Sequence, residues 1–301
     1  MNSVSSVSSK AAPFDYFLLV SLAAIFGSSF MMTKVAVAEI PPATLVTSRM
    51  AIASVILLAA AAMAGQRIPE FNRDWWYIAG TALFGTALPF LLISWGQEKV
   101  DAGLAAILMA TMPLITLVLA HYFTGDERLN LFKILGFCLG LAGVAVLIGL
   151  DKLASLGDET IRQYALMGAA TCYAINAILT KKIVHLPRRA ASAALSVAAL
   201  AMILPVSLLL DKPWLLTPSN NSMLAALALG IIPTAIGTLM LFAIIKRQGA
   251  SFLSQINFLV PVFGVLWAMT FLGEQLPPSA ATALVLILAG IAIARIKSKS
   301  S

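Results

Sequence analysis

The stretch Pro113-Leu-Ile-Thr-Leu-Val-Leu-Ala-His-Tyr-Phe-Thr-Gly-Asp-Glu127 returns later in the chain as Pro261-Val-Phe-Gly-Val-Leu-Trp-Ala-Met-Thr-Phe-Leu-Gly-Glu274. Each copy places a proline inside a long apolar segment and closes that segment with Phe, Gly and an acid. The likeness continues outward in both directions. Thr86-Ala87-Leu88 recurs as Thr234-Ala235-Ile236, and Leu141-Ala-Gly-Val-Ala-Val146 recurs as Leu288-Ala-Gly-Ile-Ala-Ile293. Further upstream, Phe26, Ser29, Thr33 and Lys34 return as Tyr173, Asn176, Thr180 and Lys181. The separation is 147 or 148 residues at every match, so the chain is two copies of one unit, and that repeat governs the architecture.

Of the 301 residues 60% are hydrophobic and 11% charged, against about 25% charged in a soluble domain. The apolar residues come in blocks of about 20, enough for a helix to cross a hydrocarbon core of about 30 Å. The expected spans are 15–37, 44–64, 75–95, 102–123, 130–150, 163–184, 190–210, 222–245, 250–272 and 277–296. The expected fold is therefore an all-α membrane protein of ten transmembrane helices. Five spans per copy is an odd number, so the second copy enters the bilayer from the opposite side and the two five-helix repeats are inverted. Residues 1–12, rich in Ser and Ala, read as a disordered cytoplasmic tail, 13–150 as the first repeat and 151–297 as the second.

The net charge of +7 is a topology signal. Fourteen Lys and Arg fall on the side of the N-terminus and six on the other, which places both termini in the cytoplasm of a multi-pass inner (plasma) membrane protein. Nothing in that placement calls for nucleic acid. Cys138 and Cys172 lie within spans without Cys-x-x-Cys spacing or neighbouring His, and read as small apolar residues. No metal or cofactor is expected.

Phe26, Ser29 and Thr33 share one face of span 1, and Tyr173, Asn176 and Thr180 the equivalent face of span 6. Small hydroxyl residues at such spacing also simply pack helices. Gly85, Thr86, Pro89 and Phe90 in span 3 answer to Pro233, Thr234, Gly237 and Thr238 in span 8, where mid-span proline frees carbonyls that need a protein interior or a wet cavity. In span 9 Ser254, Asn257, Pro261 and Gly264 form a stripe whose mirror in span 4 is Ala106, Met109, Pro113 and Thr116. One copy has stayed polar where its twin is apolar. The expected lining of a midplane site is Ser28, Ser29, Tyr173, Asn176, Thr234, Thr238, Ser254 and Asn257, with Phe26 and Phe90 against an apolar group and Pro113, Pro233 and Pro261 shaping or flexing the helices. Arg49, Lys34 and Lys181 read as interfacial anchors that snorkel to the surface. Spans 5 and 10, rich in Gly and Ala, read as close helix contacts at the periphery.

All thirteen acids sit in loops or at span ends, so no carboxylate stands at mid-membrane to couple protons or to meet a cation. There is no Walker sequence, no Ser/His/Asp set and no metal-spaced ligand cluster at one membrane depth, and the chain does not read as an enzyme.

Two five-span units, the Pro-to-Gly-Glu segments closing spans 4 and 9, and the Gly-rich spans after them resemble the EamA family of the drug/metabolite transporter superfamily over nearly the whole chain. The length and Ile25-Phe-Gly-Ser-Ser-Phe30 are similar to the YddG-type bacterial exporters of aromatic and other amino acids. The resemblance implies a carrier with a central cavity that exports small neutral metabolites, foremost amino acids, by alternating access, as a monomer or weak homodimer whose partners are that small molecule and the lipid bilayer. An exporter of other metabolites or drugs, a sugar-phosphate type exchanger and a membrane scaffold stay open as alternatives.

Overall fold

The computed structural model describes residues 12–123, 130–148 and 158–296, which form helices and their connections with no strand among them. Ten helical segments follow in order. They are α1 (Pro13–Val37), α2 (Pro42–Met63), α3 (Asp74–Gln97), α4 (Ala102–Phe123) and α5 (Leu131–Ile148), then α6 (Asp158–Thr180), α7 (Arg188–Asp211), α8 (Asn220–Gln248), α9 (Ala250–Leu253 and Ile256–Leu272) and α10 (Pro278–Ala294). Seven of these, α1 to α5 with α7 and α8, are long and apolar enough to cross a membrane, while α9 and α10 are apolar but shorter. Helix α6 has the length, 23 residues, but its first turns spend four positions on Asp158, Glu159, Arg162 and Gln163. Of the expected tail only Ala12 is described, and Asp126, Glu127 and the junction between the copies lie outside the described residues.

Helix starts follow from the sequence. Pro13, Pro42 and Pro278 stand in the first turns of α1, α2 and α10, where a missing N–H costs nothing and φ is already helical. Interruptions follow it too. Helices α3 and α8 each contain a π-helical turn, Leu83–Ala87 and Gly230–Ile236, next to Pro89 in one and around Pro233 in the other.

The two halves do not sit side by side as separate bundles. Helix α5 packs along α10, α2 along α7 and α4 along α9, so each of these meets its own repeat twin. The remaining large contacts come in exchanged pairs: α1 on α9 with α6 on α4, α1 on α8 with α6 on α3, and α2 on α8 with α7 on α3. Swapping the halves leaves this pattern unchanged. The twins α5 and α10 run in opposite directions, since Gly136 meets Gly290 and Ala294 while Gly143 meets Ala283 and Ile287.

Helix ends are capped across the same seam. The Ala102 and Gly103 N–H groups, at the start of α4, donate to Glu274 Oε1 and Oε2 at 2.8 and 2.9 Å, as expected for an acid at a span end. Thr44 N–H, at the start of α2, donates to Asp211 Oδ2 at 2.7 Å, and on the twin helix α7 the Arg189 and Ala190 N–H groups donate to Gln66 Oε1 at 3.1 and 3.2 Å. A helix exposes unmade N–H groups in its first turn, and here each half supplies acceptors for the other.

Helices α5 and α10 approach so closely that a Cβ on Gly136 would lie 2.4 Å from the Gly290 carbonyl oxygen, and one on Gly290 would lie 2.5 Å from that of Gly136. Gly290→Leu should therefore lower the thermal unfolding temperature in detergent, with about 1–3 kcal/mol or more lost to overpacking. Gly168→Ala, whose new methyl would meet only Leu92 at 3.5 Å, should leave it nearly unchanged.

Candidate functional site

The seam between the halves is not filled. A cavity of about 660 Å³ lies there, walled by α1 to α4 and α6 to α9, and neither α5 nor α10 reaches it. Its walls are matched pairs. Phe26 faces in from α1 and its twin Tyr173 from α6, Ser29 with Asn176, Thr33 with Thr180, Thr86 with Thr234, Phe90 with Thr238, and Pro113 with Pro261. The space lies on the axis of exchange because only there can both members of each pair face one volume.

Nine of the ten residues expected to bind a substrate line this cavity, as do all three expected hinge prolines. Ser28 does not; its Oγ donates to the Ile25 carbonyl at 2.8 Å on its own helix. Ser29 lines the space yet also turns its hydroxyl back, to the Phe26 carbonyl at 2.6 Å. Asn176 Oδ1 accepts from Thr180 Oγ1 at 3.3 Å. In α9 the helix breaks at Ser254–Gln255 and then runs through Pro261, so the interruption sits six residues ahead of the proline. In α4 the break at Ala110–Thr111 immediately precedes Met112 and Pro113. In the π-helical turn around Pro233, Thr234 Oγ1 donates to the Leu229 carbonyl at 2.6 Å.

Arg49 departs from expectation. It does not snorkel to a surface: it is 8% exposed and lines the cavity, with its guanidinium 3.6 Å above the Phe90 ring centroid and Nε donating to Thr234 Oγ1 at 2.6 Å. Phe90 in turn meets Tyr173 edge to face, centroids 6.4 Å apart. Arg49 is seven residues from Pro42 at the start of α2, about 10 Å along the axis, which is too deep for easy escape. That count was the available signal. Lys34 behaves as expected of an end residue, its Nζ donating to the Gln97 and Val100 carbonyls at 3.0 Å.

No acid lines the cavity, and Arg49 is its one charged side chain among the described residues. The buried acid Asp15 lies at the opening turn of α1, tied to Arg247 Nε and Gln248 Nε2 at 2.6 Å each. Among the described residues no group of three His, Cys, Asp or Glu could hold a metal. Beside the cavity, a cleft between α2, α7 and α8 carries Arg188, Arg189 and Lys246, and Phe242 lines both spaces. Phe242 thus borders both the basic cleft and the interior cavity.

A multi-span helical protein whose halves enclose a polar and aromatic chamber has the build of a membrane transporter. The chain belongs to the EamA-like transporter family, whose model matches it twice, over residues 14–149 and 162–296. It is 31% identical over 293 residues to a Salmonella typhimurium protein named "Probable amino-acid metabolite efflux pump", covering 93% of this chain and 94% of that one. It is 30% identical over 278 residues to the "Probable terminal-alkyne amino-acid exporter" of Streptantibioticus cattleyicolor, covering 91% and 90%. A crystal structure with 20% sequence identity superposes with a TM-score of 0.68 over 95% of this chain and 97% of the other, a likeness of fold.

Gly85 tests the chamber's shape. A Cβ there would lie 2.6 Å from Asn176 Cγ and Oδ1, so a branched side chain displaces that amide. Gly85→Val should cut flux at least tenfold in reconstituted vesicles while thermal unfolding in detergent shows the protein still folded.

Proposed function

We propose that this protein exports small metabolites, foremost amino acids including aromatic ones, from the cytoplasm across the plasma membrane. On this reading ten helices cross the bilayer as two inverted five-helix halves, both termini are cytoplasmic, and the halves rock about the chamber to give alternating access. The observation that carries the reading is the chamber itself, about 660 Å³ on the axis of exchange with walls drawn equally from both halves. The antiparallel run of α5 against α10 and the exchange symmetry of the helix contacts support inversion. The excess of Lys and Arg on the N-terminal side supports the orientation. The names of the relatives support the substrate class.

The lining chemistry suits such a cargo. Phe26, Phe90 and Tyr173 offer apolar and ring surface, and Asn176, Asn257, Thr238 and Ser254 offer donors and acceptors. Pro261 leaves the Asn257 carbonyl without its usual backbone donor, one more acceptor at the wall. With no carboxylate in the lining among the described residues, no acid there is placed to cycle a proton, and transport follows the substrate's own gradient.

Reconstituted vesicles loaded with labelled amino acids test this directly. Counterflow is expected for at least one apolar or aromatic amino acid, and its rate should be the same with and without a pH gradient. Flux that vanishes when the gradient is collapsed overturns the uncoupled reading, and no flux for any amino acid overturns the substrate class. Asn176→Ala and Asn257→Ala should each weaken counterflow about three- to tenfold, as expected for losing one hydrogen bond of about 1 kcal/mol. A membrane scaffold would be indifferent to both.

A further inference from the structure

The search for chemistry beyond this reading returns to Arg49. It lies at the membrane interior of α2, more than nine-tenths buried, and no described acid neutralises it. A guanidinium at such depth is expensive to hold and is normally kept for a ligand or an ion path. Its surroundings fix its direction. Nε is tied to Thr234 Oγ1 at 2.6 Å, and Phe90 lies against the flat face at 3.6 Å. Of the five N–H groups of a guanidinium, that leaves the four on the terminal nitrogens, for which the described residues supply no acceptor. What exposure the residue has is to the cavity that it lines.

The repeat sharpens the point. The twin of Arg49, 147 residues on, is Ser196, which also lines the cavity and whose Oγ donates to the Ser192 carbonyl at 2.9 Å. The fold therefore accepts a small neutral residue at this place, as the other half demonstrates. The scaffold does not require a cation here.

We infer that Arg49 grips the carboxylate of the transported metabolite, its two terminal nitrogens forming a paired set of hydrogen bonds with the two carboxylate oxygens while Phe90 holds the guanidinium plane. The inference rests on the export reading and deepens it: the carboxylate is the feature the carrier selects. Paired Arg–carboxylate bonds are among the strongest hydrogen bonds a protein makes, and they are directional. A single cation suits a single negative charge; a phosphate dianion would be left half neutralised. An ammonium group on the same substrate meets only neutral oxygens and ring faces, so blocking or removing it should matter less than blocking the carboxylate.

The experiment has two parts, so that this inference and the export reading fail separately. In the first, purified protein in detergent is heated with 3-phenylpropanoate, with 3-phenylpropanamide, with phenethylamine and with glucose 6-phosphate. The carboxylate should raise the unfolding temperature at concentrations at least tenfold lower than the amide or the amine, and this difference should disappear in Arg49→Gln. Arg49→Lys, which keeps the charge and loses the fork, should fall between them. In the second, phenylalanine and phenylalaninamide compete for counterflow of whichever labelled amino acid the wild type carries, and the amide should be at least tenfold weaker. Amide and acid binding alike to the wild type would overturn the inference, as would an Arg49→Gln protein that still prefers the acid, or a phosphate ester that outcompetes the carboxylate. If Arg49→Gln fails to fold, the wild-type and Arg49→Lys comparisons still decide. Carboxylate stabilisation in the first part with no amino-acid counterflow in the second would sink the export reading and leave the carboxylate site standing.

Discussion

Everything in this fold depends on each half finding its missing partners in the other. A backbone amide or carbonyl facing hydrocarbon has no water to bond, so helices satisfy themselves along their lengths and are exposed only at their ends. In this chain the ends are met across the seam: Glu274 on the first amides of α4, Asp211 on α2, Gln66 on α7, and Glu39 on Ser219 N–H at the start of α8 at 2.7 Å. Glu39 is held below the usual carboxylate pKa by those bonds from Ser219, hydroxyl and backbone alike, so its charge persists at physiological pH. In the corresponding connection of the other half, His185 Nε2 lies 3.1 Å from Asp74 Oδ2. Some helix starts are capped from within their own half, as Ala12 N–H is by Asp15 Oδ2, but each half leaves others to be met by its partner.

The same exchange governs the charges that close the two ends of the molecule. At one end the acid Asp15 of α1 pairs with Arg247 at the end of α8. At the other, the twin of Asp15 is Arg162 of α6, and it pairs with Glu98 just past α3 and stacks over Trp95 at 4.0 Å. Arg162 takes the place of Asp15 with the sign swapped, and its partner Glu98 is the neighbour of Lys99, the position that answers to Arg247.

Much of this was legible in the sequence because it follows from period and spacing. The 147-residue echo gave the element order, and the spacing of Phe26, Ser29 and Thr33 against Tyr173, Asn176 and Thr180 picked out two cavity walls. What misled was local. Ser28 neighbours Ser29, yet about 100° of helix rotation separates them, and only one reaches the chamber. The break in α9 falls at Ser254–Gln255 and not at Pro261, because a proline ring can be accommodated by a bend without ending the helix. Arg49 was read by type, as a snorkelling cation, when its depth along α2 and the neutral twin Ser196 pointed inward. Phe258 and Trp267, as apolar and aromatic as Phe26, serve packing: Phe258 lies beneath Arg295 at 4.6 Å, and Trp267 Nε1 donates to the Ala24 carbonyl at 3.0 Å. Ring type alone does not separate a wall from a strut.

The twins themselves carry the better signal. Along the seam, where the two copies press together, similar small residues persist: the twins Gly143 and Gly290 both sit at close contacts of α5 and α10, the one on Ala283 and Ile287 and the other on Gly136. Around the chamber a side chain faces open space, and replacing it disturbs little packing. Beside the identical twins Thr33 and Thr180, Thr86 and Thr234, and Pro113 and Pro261, four lining pairs differ strongly in chemistry: Arg49 and Ser196, Phe90 and Thr238, Ala106 and Ser254, Met109 and Asn257. If the chamber were only a packing defect, these differences would carry no pattern. They have one, because the larger polar groups of α6 and α9 and the single cation of α2 are each opposed by a smaller or less polar twin. A symmetric shell built from a repeat has acquired an asymmetric lining, and asymmetry is what a chamber needs to hold a molecule with one charged end and one apolar end in a single orientation.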